Sequence, residues 1–180
     1  MYGMVNKFFI KSLMTEYGDE TWSEIEKKSG LETNFFVGME QYPDDVTYTI
    51  VGAASDVTGV SVEDTLEMFG ENWVEMTAKA EYGHYYAMAD DLFDFLENLN
   101  SMHESLGAGL ANLRQPSFSL SRLNDGSAQL TYKSERAGLT SFVVGLLNGL
   151  AGHYGQEIKI KVVGEKQRGA DNDQFLISIV

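Results

Sequence analysis

An α+β fold is predicted for this sequence, with a helical N-terminal half and a C-terminal antiparallel sheet that carries an inserted helix. Two observations predict it. Up to about residue 112 the apolar residues recur at the spacing of a helix face, and beyond it they alternate with polar residues, as on a half-buried strand. Clusters of glycine, asparagine and aspartate punctuate the segments.

Residues 2–17 carry Val5, Phe8, Phe9, Ile10, Leu13 and Met14 between polar Asn6, Lys7, Lys11 and Ser12, and Gly18 closes this first helix. Thr21-Trp22-Ser23-Glu24 reads as a capping box that opens a short helix to Ser29, with Gly30 as its stop. Residues 44–59 and 62–69 read as two more helices, the second capped by Ser61 and ended by Gly70. The segment 84–106 reads as one long helix, with Met88, Leu92, Phe95, Leu96 and Leu99 on one side and Asp90, Asp91, Asp94 and Glu97 on the other. That acidic stripe is a solvated face or a docking surface for a partner.

Ser117 to Ser121 alternates as a strand should, Asn124-Asp125-Gly126 is a turn signal, and Ala128 to Lys133 reads as the next strand. A helix follows from about 137 to 153, with Phe142, Val143, Leu146, Leu147 and Leu150 apolar; its Gly145, Gly149 and Gly152 permit close backbone approach. Ile158 to Val162 and Gln174 to Val180 supply two further strands around a polar hairpin loop, 164–173. No repeat, low-complexity tract or linker interrupts the chain, so one domain over 1–180 is expected.

Composition excludes several function classes. A net charge of −14 disfavours nucleic acid and anionic membrane surfaces, both of which reward basic patches. Lys7 and Lys11 interrupt the apolar N-terminus, which therefore does not read as a secretion signal, and no apolar run is long enough to span a bilayer. A cytoplasmic location is the expectation. The chain has no cysteine, which rules out disulfides, zinc–thiolate sites, iron–sulfur clusters and thiolate-ligated or thioether-linked cofactors.

Two segments carry candidate chemistry. Tyr132, Ser134 and Arg136 recur at spacing two, which on a strand puts a phenol, a hydroxyl and a guanidinium on one face. Three donors with no acid among them suit an anion, and the planar fork of Arg136 suits a carboxylate. The pattern is short, and a solvated strand face would produce it too. His103, in Asn100-Ser101-Met102-His103-Glu104-Ser105-Leu106-Gly107, is by itself either a ligand or a residue capping a helix end. His84 and His153 sit in no comparable motif and are read as structural.

Taken together, the His103 segment, the Tyr132/Ser134/Arg136 pattern and the order of elements resemble the H-NOX family. These are haem-binding gas-sensor domains shared by bacterial signalling proteins and soluble guanylate cyclase. The resemblance runs from Met1-Tyr2-Gly3 to Val180. It implies non-covalent haem b between the helical part and the sheet, with His103 as proximal iron ligand and Tyr132, Ser134 and Arg136 clamping the two propionates. Pro116 resembles the proline that packs on the porphyrin face and helps distort it, although proline is also tolerated where a strand begins.

In the same comparison Phe142 stands where oxygen-binding members place a tyrosine, or Ser141 if the register slips by one. Trp73 stands where they place a polar partner, and Val5, Phe9 and Leu146 complete an apolar distal wall. Bound O2 gains from a hydrogen-bond donor, whereas NO does not need one. The resemblance therefore implies a sensor of NO and CO that binds O2 poorly, with the Trp73 indole N–H as the remaining donor. It further implies that NO loosens the His103 tether and shifts the helical half against the sheet. A separate histidine kinase or cyclic-dinucleotide enzyme would read that shift, the chain itself having no catalysis. The rival readings are a haem enzyme such as a peroxidase or NO dioxygenase, which needs polar distal groups, and a haem-free binding or scaffold domain.

Overall fold

The computed structural model describes residues 1–31, 36–79, 82–107 and 115–180, so the switch in periodicity at residue 112 lies outside the described residues. The elements are α1 (Gly3–Ser29), α2 (Asp44–Thr58), α3 (Val62–Lys79), α4 (Gly83–Tyr86), α5 (Leu92–Gly107), β1 (Ser117–Arg122), β2 (Ala128–Lys133), α6 (Thr140–His153), β3 (Ile158–Gly164) and β4 (Asp173–Ile179). The four strands form one antiparallel sheet in the order β1-β2-β4-β3, so the predicted α+β class is correct.

Three helical expectations need correction. Gly18 breaks α1 as expected, at φ 81°, ψ 170°, but the chain turns helical again immediately afterwards. The Thr21–Glu24 capping box is therefore not used, and the Ser23 hydroxyl donates to the Asp19 carbonyl inside the helix. Gly70 does not end α3. A Cβ built there would lie 2.3 Å from the Phe142 carbonyl oxygen, and one built on Gly145 would lie 1.9 Å from the Glu67 carbonyl oxygen. These glycines let α3 and α6 cross backbone to backbone, and that contact outweighs the helix-breaking tendency that sequence alone registers.

The third correction concerns 84–106, which is split into α4 and α5 by residues 87–91. Asp91 caps α5 by accepting the Asp94 N–H, and the Gln156 side chain accepts the Leu92 N–H. Met88, assigned to the apolar side of a continuous helix, is consequently 78% exposed. Asp94 and Glu97 of the acidic stripe both pair with Arg122. Ser61 does cap α3, its hydroxyl oxygen accepting the Asp64 N–H at 3.0 Å.

Two apolar cores result. Phe9, Leu13, Ile25, Ile50, Leu66 and Phe69 join α1, α2 and α3. Leu96 and Leu99 of α5, Val143 and Leu147 of α6, and Leu130 and Phe175 of the sheet form the second. Phe142 touches both, which places the start of α6 at the seam between them.

Candidate functional site

A cavity of about 220 Å³ lies along that seam. Its walls come from every part of the fold: Val5 of α1, Phe69 and Trp73 of α3, Leu99 and His103 of α5, Phe118 and Tyr132 of the sheet, and Phe142 and Leu146 of α6. A second cavity of about 270 Å³ adjoins it, sharing Val5, Trp73, Tyr86, His103, Pro116 and Arg136. The two form one divided slot. Nearly all its lining is apolar, so a polar group inside it has little water to fall back on.

His103 is the polar group most affected. It is carried near the end of α5, and its carbonyl accepts the Gln115 side-chain amide at 2.6 Å. Its ring lies 6.0 Å from Phe118, and its Nδ1 is buried with no hydrogen-bond partner among the described residues. Burial holds the imidazole below its ordinary range, opposed in part by the Pro116 carbonyl. A neutral imidazole in an apolar wall is ready to bind a metal, which protonation would prevent. Among the described residues no three His, Asp or Glu side chains converge on one point.

Arg136 occupies the cationic end of the slot. Tyr132 projects from β2 and is buried, but β2 ends at Lys133, so Ser134 and Arg136 are presented by the following loop rather than by the pleat of a strand. Ser134 stands behind the other two. Its hydroxyl oxygen accepts the Arg136 backbone N–H at 3.1 Å, and its side chain is hydrogen-bonded to the Tyr132 phenol. The loop is tied down by the Tyr48 phenol, which donates to the Ala137 carbonyl at 2.9 Å, and by the buried Asp173 carboxylate, which accepts the Thr140 hydroxyl and the Lys166 N–H.

Sequence spacing could not show the acid that meets this cation. Asp44, the first residue of α2, brings Oδ1 to 3.0 Å from Arg136 Nε and 2.5 Å from the N-terminal ammonium. Burial pushes the Asp44 carboxyl up, but hydrogen bonds from the ammonium and from Arg136 outweigh it and leave the group below its ordinary range. Two cations thus converge at the mouth of the slot with one carboxylate between them.

The remaining expected residues divide. Val5, Trp73 and Pro116 line both cavities, and Phe142 and Leu146 line the first. Phe142 packs 5.1 Å from Phe69 and 6.4 Å from Trp73, ring centre to ring centre. Phe9 does not line the slot; it stands one layer back, its ring 4.6 Å from that of Phe69. Thr47, Thr77 and Tyr86 were not anticipated. Thr77 lay beyond the point where Gly70 was expected to end α3, and Tyr86 lay within a helix read as continuous. The Thr47 hydroxyl donates to buried Asn6 at 2.6 Å.

The haem-NO-binding family model matches residues 2–162 of this chain. Soluble guanylate cyclase gcy-35 of Caenorhabditis elegans is 31% identical over 180 residues, covering 95% of this chain and 26% of the relative. Soluble guanylate cyclase 89Da of Drosophila melanogaster is 27% identical over 165 residues, covering 91% and 25%. The chain therefore spans about a quarter of the length of these curated relatives. Among solved structures, the H-NOX protein from S. oneidensis in its Fe(II)NO ligation state superimposes with a TM-score of 0.89 at 20% identity, covering 100% of this chain and 99% of that one. The unliganded Fe(II) H-NOX protein from K. algicida gives 0.82 at 22%, covering 100% and 97%. Among the described residues, no helix is long and apolar enough to cross a membrane.

Proposed function

The chain belongs to the haem-NO-binding family, and from that premise we propose that it is a haem-based gas sensor that binds NO and CO and signals to a partner in trans. The observation that carries this reading is the buried imidazole of His103 in the wall of an apolar slot whose far end holds Arg136.

The residues present fit haem b held without a covalent link. His103 is the proximal ligand, kept neutral by burial. Tyr132 and Arg136 meet the propionates, with Ser134 and the terminal ammonium in support. Pro116, which lines both cavities, would set a stiff ring against the macrocycle. Haem held by His103 would supply an iron able to take a diatomic gas. The wall of Val5, Phe142 and Leu146 excludes water and offers a ligand no hydroxyl, which favours NO and CO over O2. The same wall argues against a peroxidase or NO dioxygenase, whose chemistry needs polar distal groups.

His103 on α5 and Arg136 with Asp44 on α2 tie the slot to separate elements. A change in the pull on His103 therefore alters the fit between the helical part and the sheet. A histidine kinase or cyclic-dinucleotide enzyme in the cytoplasm is the proposed reader, and this chain is the sensor with no catalysis of its own.

The test is an absorption spectrum of purified protein reconstituted with ferrous haem. A Soret band that shifts with NO and CO and stays unchanged in air supports the reading. No haem uptake, or catalytic turnover of peroxide, overturns it.

A further inference from the structure

We propose that Thr77 is a specificity-determining residue of the slot, because it takes up the buried phenol proton of Tyr86 that would otherwise be offered to a bound diatomic ligand. The inference rests on the haem reading above and extends it to a residue pair outside the wall already assigned.

Leu66, Phe69 and Trp73 line the first cavity from one face of α3, and Thr77 continues that face one turn further on, into the adjoining cavity. Tyr86, at the end of α4, lines both cavities. Both side chains are buried, Thr77 at 4% exposure and Tyr86 at 6%. Their hydroxyl oxygens lie 2.6 Å apart, so they share a hydrogen bond that either could donate.

Neighbouring carbonyls decide the direction. Thr77 Oγ1 lies 2.6 Å from the Trp73 carbonyl oxygen and 3.3 Å from that of Val74. A hydroxyl has one proton. Thr77 commits its proton to the Trp73 carbonyl, the back-bond that threonine commonly makes within a helix. The Tyr86 phenol is therefore the donor, and Thr77 the acceptor.

The Tyr86 ring has no freedom to turn away. It stacks on Phe95 at 4.7 Å and meets the His153 ring edge-on at 5.1 Å, while its carbonyl accepts the Tyr154 phenol at 2.9 Å. If the acceptor at position 77 is removed, the phenol stays in place and only its O–H rotates. A buried hydroxyl without a partner is costly, so its proton turns to whatever acceptor the slot contains. Other hydroxyl groups lining the slot are likewise engaged, Thr47 with Asn6, Tyr132 with Ser134 and Tyr82 with the Met4 sulfur. The donor-poor character of the slot thus depends on paired hydroxyls as well as on apolar side chains, and Thr77 engages the phenol of Tyr86.

The test uses Thr77→Val, which keeps the shape and removes the acceptor, with Thr77→Ser as the conservative control. In haem-free protein, second-derivative near-ultraviolet absorption of Thr77→Val should show one tyrosine band moved to shorter wavelength, as loss of a donated hydrogen bond requires. In ferrous protein, the C–O stretch of the CO complex should fall in frequency. In titrations at raised O2 pressure, O2 affinity should rise by about two- to tenfold, the range that one neutral hydrogen bond supplies. Thr77→Ser should match wild type, and adding Tyr86→Phe to Thr77→Val should restore the wild-type CO band. An unmoved tyrosine band, or a moved band with unchanged CO stretch and O2 affinity, overturns the inference while leaving the haem reading intact. An effect that persists without the Tyr86 hydroxyl also overturns it. Failure of wild-type protein to take up haem removes the reading and the inference together.

Discussion

Asp44 and Arg136 meet across the seam of the molecule, with Oδ1 and Nε 3.0 Å apart. One opens α2 in the helical half, and the other sits on the loop after β2. The N-terminal ammonium joins the same carboxylate, so the mouth of the slot is held by charges from three stretches of chain. Its geometry depends on how the helical half sits on the sheet.

Replacing His103 by glycine removes the only imidazole lining the slot among the described residues. The variant should lose haem during purification and recover a ferrous spectrum only when imidazole is added. An unchanged ferrous spectrum without imidazole would assign ligation elsewhere.

Arg136→Ala removes the cation at the slot mouth. A hydrogen bond to a charged group contributes about 1.5–3 kcal/mol, so haem transfer to apomyoglobin should accelerate by roughly tenfold or more. Lys133→Ala, at an exposed position on β2, should leave the rate unchanged. Equal acceleration in both variants would mean that general charge, and not the placement of Arg136, retains the cofactor.

Asp44 gives a pH signature. Its carboxyl lies below the ordinary range in the folded protein, so its stabilising effect is fully present above the unfolded value of about 4 and disappears as pH falls through the lower folded value. In urea titrations Asp44→Asn should be less stable than wild type near neutrality, and the difference should close on acidification. A difference that widens at low pH would show that the ionised carboxylate is not the stabilising form.

Gly145→Ala should be strongly destabilising, because its Cβ would meet the Glu67 carbonyl oxygen at 1.9 Å where two helix backbones cross. Overpacking typically costs about 1–3 kcal/mol, and a clash against backbone belongs at or above the top of that range. Thermal unfolding should register it as a large drop in Tm. Gly152→Ala, with nothing within 4 Å, is the control and should be neutral or slightly stabilising.

Wild-type ferrous protein should remain five-coordinate in air while binding NO and CO. Phe142→Tyr places a hydroxyl on the wall of the slot and should yield a measurable oxy form, with a gain on the order of 0.5–1.5 kcal/mol. A stable oxy spectrum from the wild type would identify the Trp73 indole or another donor as already active and would remove the case for NO selectivity.

The sequence by itself determined the α+β class, the limits of β2, the cap at Ser61, and the two candidate motifs around His103 and Arg136. Each of these is encoded locally: alternation sets a strand face, a hydroxyl three residues before an N–H sets a cap, and spacing groups residues along a single element. Only the tertiary structure decided the rest. It turned Gly70 from a helix stop into a crossing point, because Gly145 lies against the same stretch of α3 from 75 positions later in the chain. It set Phe9 behind Phe69 instead of in the slot, brought Asp44 to Arg136, and joined the hydroxyls of Thr77 and Tyr86. Those relationships depend on which surfaces pack together, and helix periodicity specifies that a face is buried without specifying what it meets.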